Sequence, residues 1–143
     1  MIRSTAKNLL MKEFLSNFNT TTPITFKNKN SFFYSTGTAT TKPSSSAWVR
    51  FWIENNRSYK TTIGASPDRR FERMGMVAAQ VFIPPNSGTY SGDTLCEEII
   101  EIFEGKRFEN IVCGEGYYRE AGNVEEDFFT YDVTIFYTFD ETK

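Results

Sequence analysis

Residues 128–139, FFTYDVTIFYTF, carry the clearest periodic pattern in the chain. Large apolar side chains occupy every second position, and mostly polar side chains stand between them. The apolar set is Phe129, Tyr131, Val133, Ile135, Tyr137 and Phe139. Because successive side chains of a strand point to opposite faces, this period of two predicts a strand that buries one face.

Five further segments have the composition of strands. They are residues 24–26, 47–54, 59–63, 69–83 and 108–119. The second of them is rich in aromatic and β-branched residues. Its side chains Val49, Phe51 and Ile53 are expected to face the core. The opposite side is expected to carry Trp48, Arg50, Trp52 and Glu54.

Turn residues separate these strands. Asn55-Asn56 predicts a turn, after which residues 59–63 return as a hairpin partner, and residues 65–68 predict a second turn. Gly75 is expected to break strand 69–83, as a bulge or as a close approach of another backbone. Residues 120–127 are expected to form an acidic turn before the last strand.

Two segments have helical periodicity. Residues 2–18 place apolar side chains at helical spacing, and residues 94–104 place apolar and glutamate side chains on opposite arcs. Thr94 and Glu97 have the spacing of a capping box, and Gly105 is expected to end the helix. Residues 35–46, STGTATTKPSSS, have no periodicity and are expected to form a mobile loop.

The order of these elements predicts one α+β domain over residues 1–143. Helices are segregated from strands, so we expect a mostly antiparallel sheet of about six strands with two amphipathic helices packed on it. A chain of 143 residues has room for one core. Its mean hydropathy of −0.43 and the lack of a long apolar run exclude a membrane-spanning helix, and its opening residues do not resemble a signal peptide.

Residue content excludes several kinds of catalytic site. The chain has no histidine, which excludes Ser-His-Asp and Cys-His nucleophile systems and His-ligated zinc. Cys96 and Cys113 are too few for a disulfide scaffold and are expected to be buried, reduced thiols. No phosphate-binding glycine loop or calcium loop is present, and the glutamates of residues 94–104 are typical of a solvated helix face.

Charge is divided unequally along the chain. Residues 1–60 carry nine Lys/Arg and two Glu, a net of +7, whereas residues 61–143 carry seven Lys/Arg and sixteen Asp/Glu, a net of −9. One interpretation is internal neutralisation within a single domain. The other is a protomer with a positive and a negative side, which suits head-to-tail association with its own copies.

The segment Asp68-Arg69-Arg70-Phe71-Glu72-Arg73 has the highest density of charge. Its mixed signs favour salt bridges on the surface or between subunits. Contact with nucleic acid is the alternative, against which the sequence pI of about 5.3 argues.

The ordered set of features resembles the tail terminator (tail completion) proteins of long-tailed bacteriophages, in the group with a small α+β fold. The similarity runs along most of the chain. In the first half it consists of the N-terminal amphipathic helix, a strand that opens with Trp48-Val49-Arg50, and a turn at Gly64. The apolar residues 77–83 then follow the segment Arg69-Arg70-Phe71-Glu72-Arg73-Met74-Gly75. An acidic helix follows Pro85-Asn86-Ser87-Gly88-Thr89, and the last alternating strand ends in Phe136-Tyr137. Residues 35–46 form a longer stretch than the family usually carries.

This resemblance implies a structural protein of the virion without catalytic residues or cofactors. It implies a homo-oligomeric ring, usually of six subunits, that binds the tail tube protein at the end of the tube and stops tube polymerisation. The ring also offers the surface to which the head-tail connector docks. Any DNA would pass through the ring lumen, and no membrane is involved. Assembly would take place in the host cytoplasm.

Two sets of residues are candidates for the surfaces of such a ring. For the subunit boundary we expect basic Arg50, Arg57 and Lys60 to meet acidic Glu97, Glu101 and Glu104, so that charge reversal at Glu97 and Glu101 weakens assembly. For the lumen or a docking face the candidates are Arg69, Arg70 and Arg73, for which an ordinary solvated strand face is the alternative.

Other functions remain open at this point. Another virion joint, such as a tube subunit or a head-completion protein, would also assemble with its own copies. A tube subunit would differ from a terminator by forming long tubes and not closed rings. A monomeric host-directed binding module belongs to a different class. A small enzyme using Cys96, Cys113 or carboxylates is the weakest alternative.

Overall fold

The computed structural model describes residues 3–60, 70–85, 88–125 and 128–142. Two helices and eight strands make up this part of the chain. In chain order they are α1 (Arg3–Asn17), β1 (Ile24–Phe26), β2 (Phe32–Phe33), β3 (Ala39–Thr40), β4 (Trp48–Lys60), β5 (Arg70–Ile83), α2 (Tyr90–Phe103), β6 (Arg107–Phe108), β7 (Ile111–Glu125) and β8 (Phe128–Thr142). The α+β class is confirmed.

All eight strands belong to one sheet with the order β3-β2-β1-β4-β5-β8-β7-β6. Only β1 and β4 run parallel among the described strands, and every other neighbouring pair is antiparallel. Residues 48–60 form one strand where two were expected, which lowers the count by one. The count still exceeds the expected six, because β2, β3 and β6 are three additional strands of only two residues each, too short to leave a periodic signal.

The predicted turn at Asn55-Asn56 is wrong. β4 continues through it to Lys60, with a register irregularity between Asn55 and Arg57. Tyr59 and Lys60 therefore pair with Glu72 and Phe71 of β5 and are not the partner of residues 47–54. Residues 61–63, the Gly64 turn and the second predicted turn, residues 65–68, lie outside the described residues.

Gly75 does not break β5, which is continuous, but the expected close approach is confirmed. Gly75 pairs with Asn55 on one side and with Tyr137 on the other. A Cβ at this position would collide with the carbonyl oxygen of Glu54 and the hydroxyl of Tyr137. Glycine is required here for space.

Helix α2 begins at Tyr90, four residues before the predicted start. Thr94 is therefore inside the helix, where its Oγ1 donates to the Tyr90 carbonyl at 2.8 Å, and the predicted capping box is wrong. The predicted stop is confirmed, since Gly105 has a φ of +69° directly after the C-cap residue Glu104.

Two other loop predictions need correction. Residues 35–46 are not free of regular structure, because Ala39–Thr40 pairs with Phe32–Phe33 as β3. The predicted acidic turn over residues 120–127 is wrong for residues 120–125, which are part of β7 and pair with β8, with irregularities around Gly122; residues 126–127 lie outside the described residues. Both helices also differ slightly in their bounds from the prediction. Helix α1 spans Arg3–Asn17 where residues 2–18 were expected, and α2 spans Tyr90–Phe103 where residues 94–104 were expected.

Both helices cover the same face of the sheet. Ala6, Leu10 and Phe14 of α1 are fully buried, and Phe14 stacks on Phe51 of β4 with ring centroids 3.9 Å apart. Helix α2 packs on β5, β7 and β8. The alternation predicted for β8 is confirmed, because five of its six apolar positions, Tyr131 to Phe139, are buried in this core.

A second, smaller cluster lies on the opposite face of the sheet. Trp48 was correctly predicted to point away from Val49, Phe51 and Ile53, yet it is fully buried. Its ring stacks on Phe82 at 3.9 Å and meets the edges of Phe32 and Phe128. No helix within the described residues is long and apolar enough to cross a membrane.

Candidate functional site

The strand order places the two charge halves at opposite sides of the sheet. Residues 1–60 supply α1 and the strands β3, β2, β1 and β4, whereas residues 70–142 supply α2 and β5, β8, β7 and β6. The boundary between the halves is the contact of β4 with β5. Residues 1–60, whose net charge is +7, therefore form one side of the sheet, and the part of the chain that carries most of the acidic residues forms the other.

The predicted acidic residues lie on the outer surface of α2. Glu97, Glu101 and Glu104 are all exposed. The Glu104 carboxylate also accepts a hydrogen bond from the Gly116 backbone N–H at 2.8 Å, so it ties the end of α2 to β7. The solvated helix face is thus also an attachment point for the sheet.

Glu98 is a residue whose role the sequence analysis missed. Its carboxylate accepts hydrogen bonds from the backbone N–H and the side-chain Nδ2 of Asn19, at 2.8 and 3.1 Å. Asn19 lies two residues after the end of α1, so this contact ties α2 to the segment that follows α1, across the charge boundary. Local spacing gave no signal for it, because the partners are 79 positions apart.

Arg50 is the predicted basic partner whose side chain is described, and it does not meet these glutamates within one chain. Arg50 lies on the face without helices, where its guanidinium covers the rings of Trp48 and Phe82 at 5.4 and 5.3 Å. The side chains of Arg57 and Lys60 lie outside the described part, although both backbones belong to β4. Any pairing of Arg50 with α2 would therefore join two copies.

A polar row crosses the face without helices. Arg50 donates to Gln80 at 3.2 Å, Gln80 donates to Asp132 at 3.4 Å, and Arg119 donates to the other Asp132 oxygen at 3.4 Å. These residues occupy neighbouring positions on β4, β5, β8 and β7. The row joins all four long strands with hydrogen bonds.

Exposed aromatic residues stand beside this row. Tyr117 and Phe136 are 51% and 46% exposed, and with Trp52 and Met76 they line a shallow concavity of about 620 Å³. Phe136 interrupts the polar positions of the β8 pattern, and that interruption is the sequence signal that could have marked this surface.

The three arginines predicted for a lumen or docking face have different settings. Arg69 and the side chain of Arg70 lie outside the described residues. Arg73 is only 5% exposed, and its Nε donates to Glu141 at 2.9 Å in an ion pair that is buried on both sides. In the monomer Arg73 is therefore engaged internally and is not presented to a lumen.

Both cysteines are free and buried, as predicted. Burial raises the pKa of each thiol to about 12, and for Cys96 the nearby carboxylates of Asp93 and Glu97 add to the effect. Such thiols stay protonated and are weak nucleophiles. No group of metal-binding side chains is found among the described residues.

Comparison with known proteins gives the fold alone. No protein-family profile and no curated protein matches the sequence. Seven chains of solved structures match, and one of them, whose name states no function, has a TM-score of 0.59 and 14% identity. That alignment covers 92% of this chain and 94% of the other, so the whole domain has a solved structural counterpart.

Proposed function

We propose that this chain is a structural protein of a phage virion, a tail terminator that forms a ring on the end of the tail tube. The ring, of six subunits in this proposal, stops tube polymerisation and offers a docking surface to the head-tail connector. The proposal includes no catalytic residue, cofactor or membrane. DNA would only pass through the lumen.

One observation carries the proposal, namely the separation of positive and negative charge toward opposite edges of a single sheet. A molecule with two different, complementary sides associates head to tail, and such heterologous contacts close into a ring when the rotation is right. Charges that neutralised each other within one protomer would leave no complementary surfaces. Charges separated to opposite sides of the sheet leave two surfaces that attract each other in neighbouring copies. The resemblance in element order adds the terminator role.

The first test is the solution mass measured by light scattering over a range of protein and salt concentration. We expect a closed species at a small-integer multiple of 16.5 kDa that dissociates at high salt, because salt screens exposed charges. Electron microscopy distinguishes closed rings from the long tubes that a tube subunit would form. A chain that stays monomeric alone and leaves tail length unchanged when its gene is deleted from the virus is not a terminator.

Neutralising the acidic surface of α2 tests the charged boundary. Glu97→Gln with Glu101→Gln should weaken assembly and flatten its dependence on salt, because fewer charges then attract across the boundary. A matched control is Ser44→Lys with Ser45→Lys, which changes net charge equally at exposed positions of the basic half. Equal assembly of both variants and the parent would contradict a boundary formed by these glutamates.

A further inference from the structure

The β4 strand has one outer edge that is only partly covered. Strand β1 pairs with Val49, Arg50 and Phe51, and the last backbone bond on this side is from the Lys27 N–H to the Phe51 carbonyl. Backbone groups of alternate residues point to the same side of a strand, so Ile53 presents its N–H and C=O outward as Val49 and Phe51 do. No described strand pairs with residues 53–60 on this side.

A cleft of about 820 Å³ runs beside this open edge of β4. Helix α1 contributes Lys7 and Met11 to it, β1 ends in it at Phe26, and Ile53 and Asn55 of β4 lie along it. The cleft thus combines an open strand edge, apolar walls and the ammonium groups of Lys7 and Lys27, the second of which lies 3.5 Å from the Glu54 carboxylate that also lines the cleft. These are the elements that bind an added strand with acidic neighbours.

The β7 strand has a corresponding open edge at the other side of the sheet. Strand β6 pairs only with Ile111 and Val112, and the outward N–H of Gly116 is taken by the Glu104 carboxylate. By the same alternation, the N–H groups of Tyr118 and Glu120 point outward as well. No described strand pairs with β7 on this side from residue 117 onward.

The two open edges fit each other in direction and extent. β4 and β7 run in opposite directions, because three antiparallel contacts separate them through β5 and β8. In both strands the covered part is the beginning and the open part is the end, residues 53–60 and residues 117–125. Two copies can be placed side by side with their helices on the same face of the joined sheets. In that arrangement residues 53–60 of one copy and residues 117–125 of the other lie side by side as an antiparallel pair.

We propose that the open edge of β4 in one copy pairs with the open edge of β7 in a second copy, so that the sheets of neighbouring copies are continuous. This inference rests on the proposed function for the ring, and it names the joint. Lys7 and Lys27 flank one edge, while Glu104, Glu115 and Glu120 accompany the other. The pairing staggers neighbouring copies along the strand direction, as strands do in a closed, tilted sheet.

A proline substitution tests the joint. Glu120→Pro removes one outward N–H, which no described contact uses in the monomer, and an edge strand tolerates proline at such a position. Glu120→Ala is the matched control, because it removes the same charge and keeps the N–H. In sedimentation velocity the Pro variant should associate about tenfold or more weakly than the Ala variant, and equal association of the two overturns the joint.

Disulfide trapping keeps the proposal testable if Glu120→Pro does not fold. Glu54 lies on the face without helices near the open edge of β4, and Tyr117 and Arg119 lie on the same face of β7. Mixing the Glu54→Cys variant with Tyr117→Cys or with Arg119→Cys should give, with at least one of them, several times more cross-linked dimer than mixing with Ser44→Cys. The native thiols are buried and give little background.

The outcomes separate the joint from the ring. Closed rings without enrichment of either cross-link contradict the edge joint and leave the terminator proposal standing. A parent chain that stays monomeric at every concentration overturns the joint as an interaction between free copies. Tail length in the deletion virus then decides the terminator role independently.

Discussion

Tyr137 donates its hydroxyl to the side-chain oxygen of Asn55 at 3.0 Å, across the strand position that Gly75 occupies. The same hydroxyl lies 3.4 Å from the Glu54 carbonyl. The contact reaches from β8 over β5 to β4, at the point where the β4 register shifts. It secures a strand of thirteen residues through an Asn-Asn pair that would otherwise favour a turn.

Gly75→Ala should destabilise the protein by about 1–3 kcal/mol or more, because the new methyl group collides with the Glu54 carbonyl and the Tyr137 hydroxyl. The measurement is the urea midpoint of unfolding at neutral pH. Gly114→Ala is the matched control, since the nearest heavy atom to its Cβ would be 3.7 Å away. Equal midpoints for the two variants would show that the Gly75 contact is not close.

The strand pattern of β8 was predictable because it depends only on the period of two within one segment. The turn at Asn55-Asn56 was predicted wrongly because the residue that accommodates it, Tyr137, lies 82 positions away in the sequence. Trp48 illustrates the same limit. Alternation gives its side of the sheet, whereas its burial depends on Phe32, Phe82 and Phe128 from three other segments.

For the candidate site, the sequence predicted the division of charge but not its position in space. Net charge per segment can be read directly, and the exposed glutamates of α2 follow from helical periodicity. The strand order cannot be read in this way. It is the order of β4 beside β5, with β7 near the far edge, that separates the charges and leaves two edges without a partner strand among the described residues.

Breaking the ion pair of Arg73 and Glu141 should be costly. Arg73→Ala leaves a buried carboxylate without its partner, and the expected loss is about 3–5 kcal/mol of unfolding free energy. Replacing both, as Arg73→Met with Glu141→Leu, should be neutral or stabilising because neither buried charge remains.

The surface pair of Arg119 and Asp132 is the control for that prediction. The Arg119 side chain is 74% exposed, so Arg119→Ala should change the unfolding free energy by less than about 1 kcal/mol. The quantity to compare is the urea midpoint of each variant. If Arg73→Ala costs no more than Arg119→Ala, the internal pair is not a structural anchor.

Glu98→Ala should weaken the attachment of α2 to the end of α1. The change removes the acceptor for two Asn19 donors, and hydrogen bonds to a charged group contribute about 1.5–3 kcal/mol. Glu97→Ala makes the same change in helix propensity at an exposed position of the same helix. It should lower the unfolding free energy by less than about 0.5 kcal/mol. Thermal unfolding followed by circular dichroism compares them, and equal midpoints would contradict a role for the Asn19 contact.

The two buried thiols should make the protein lose stability at alkaline pH. In the unfolded chain each thiol ionises near its ordinary pKa of 9.0, whereas burial raises the pKa of Cys96 and of Cys113 to about 12 in the folded chain. Between these values the folded chain keeps protons that the unfolded chain releases. The unfolding free energy therefore falls as pH rises above 9, by about 1.4 kcal/mol per pH unit for each thiol.

Urea unfolding in reducing buffer at several pH values from 8 to 10.5 measures this slope. Cys113→Ala should remove about half of the thiol contribution between pH 9 and 10, whatever its cost at pH 8, because the slope and the packing loss are separate quantities. Above pH 10 the slope should steepen further, since burial also raises the pKa of Tyr131 and of Tyr137 to about 12. A midpoint that does not change between pH 8 and 10 would mean that the folded chain ionises its thiols as readily as the unfolded chain does.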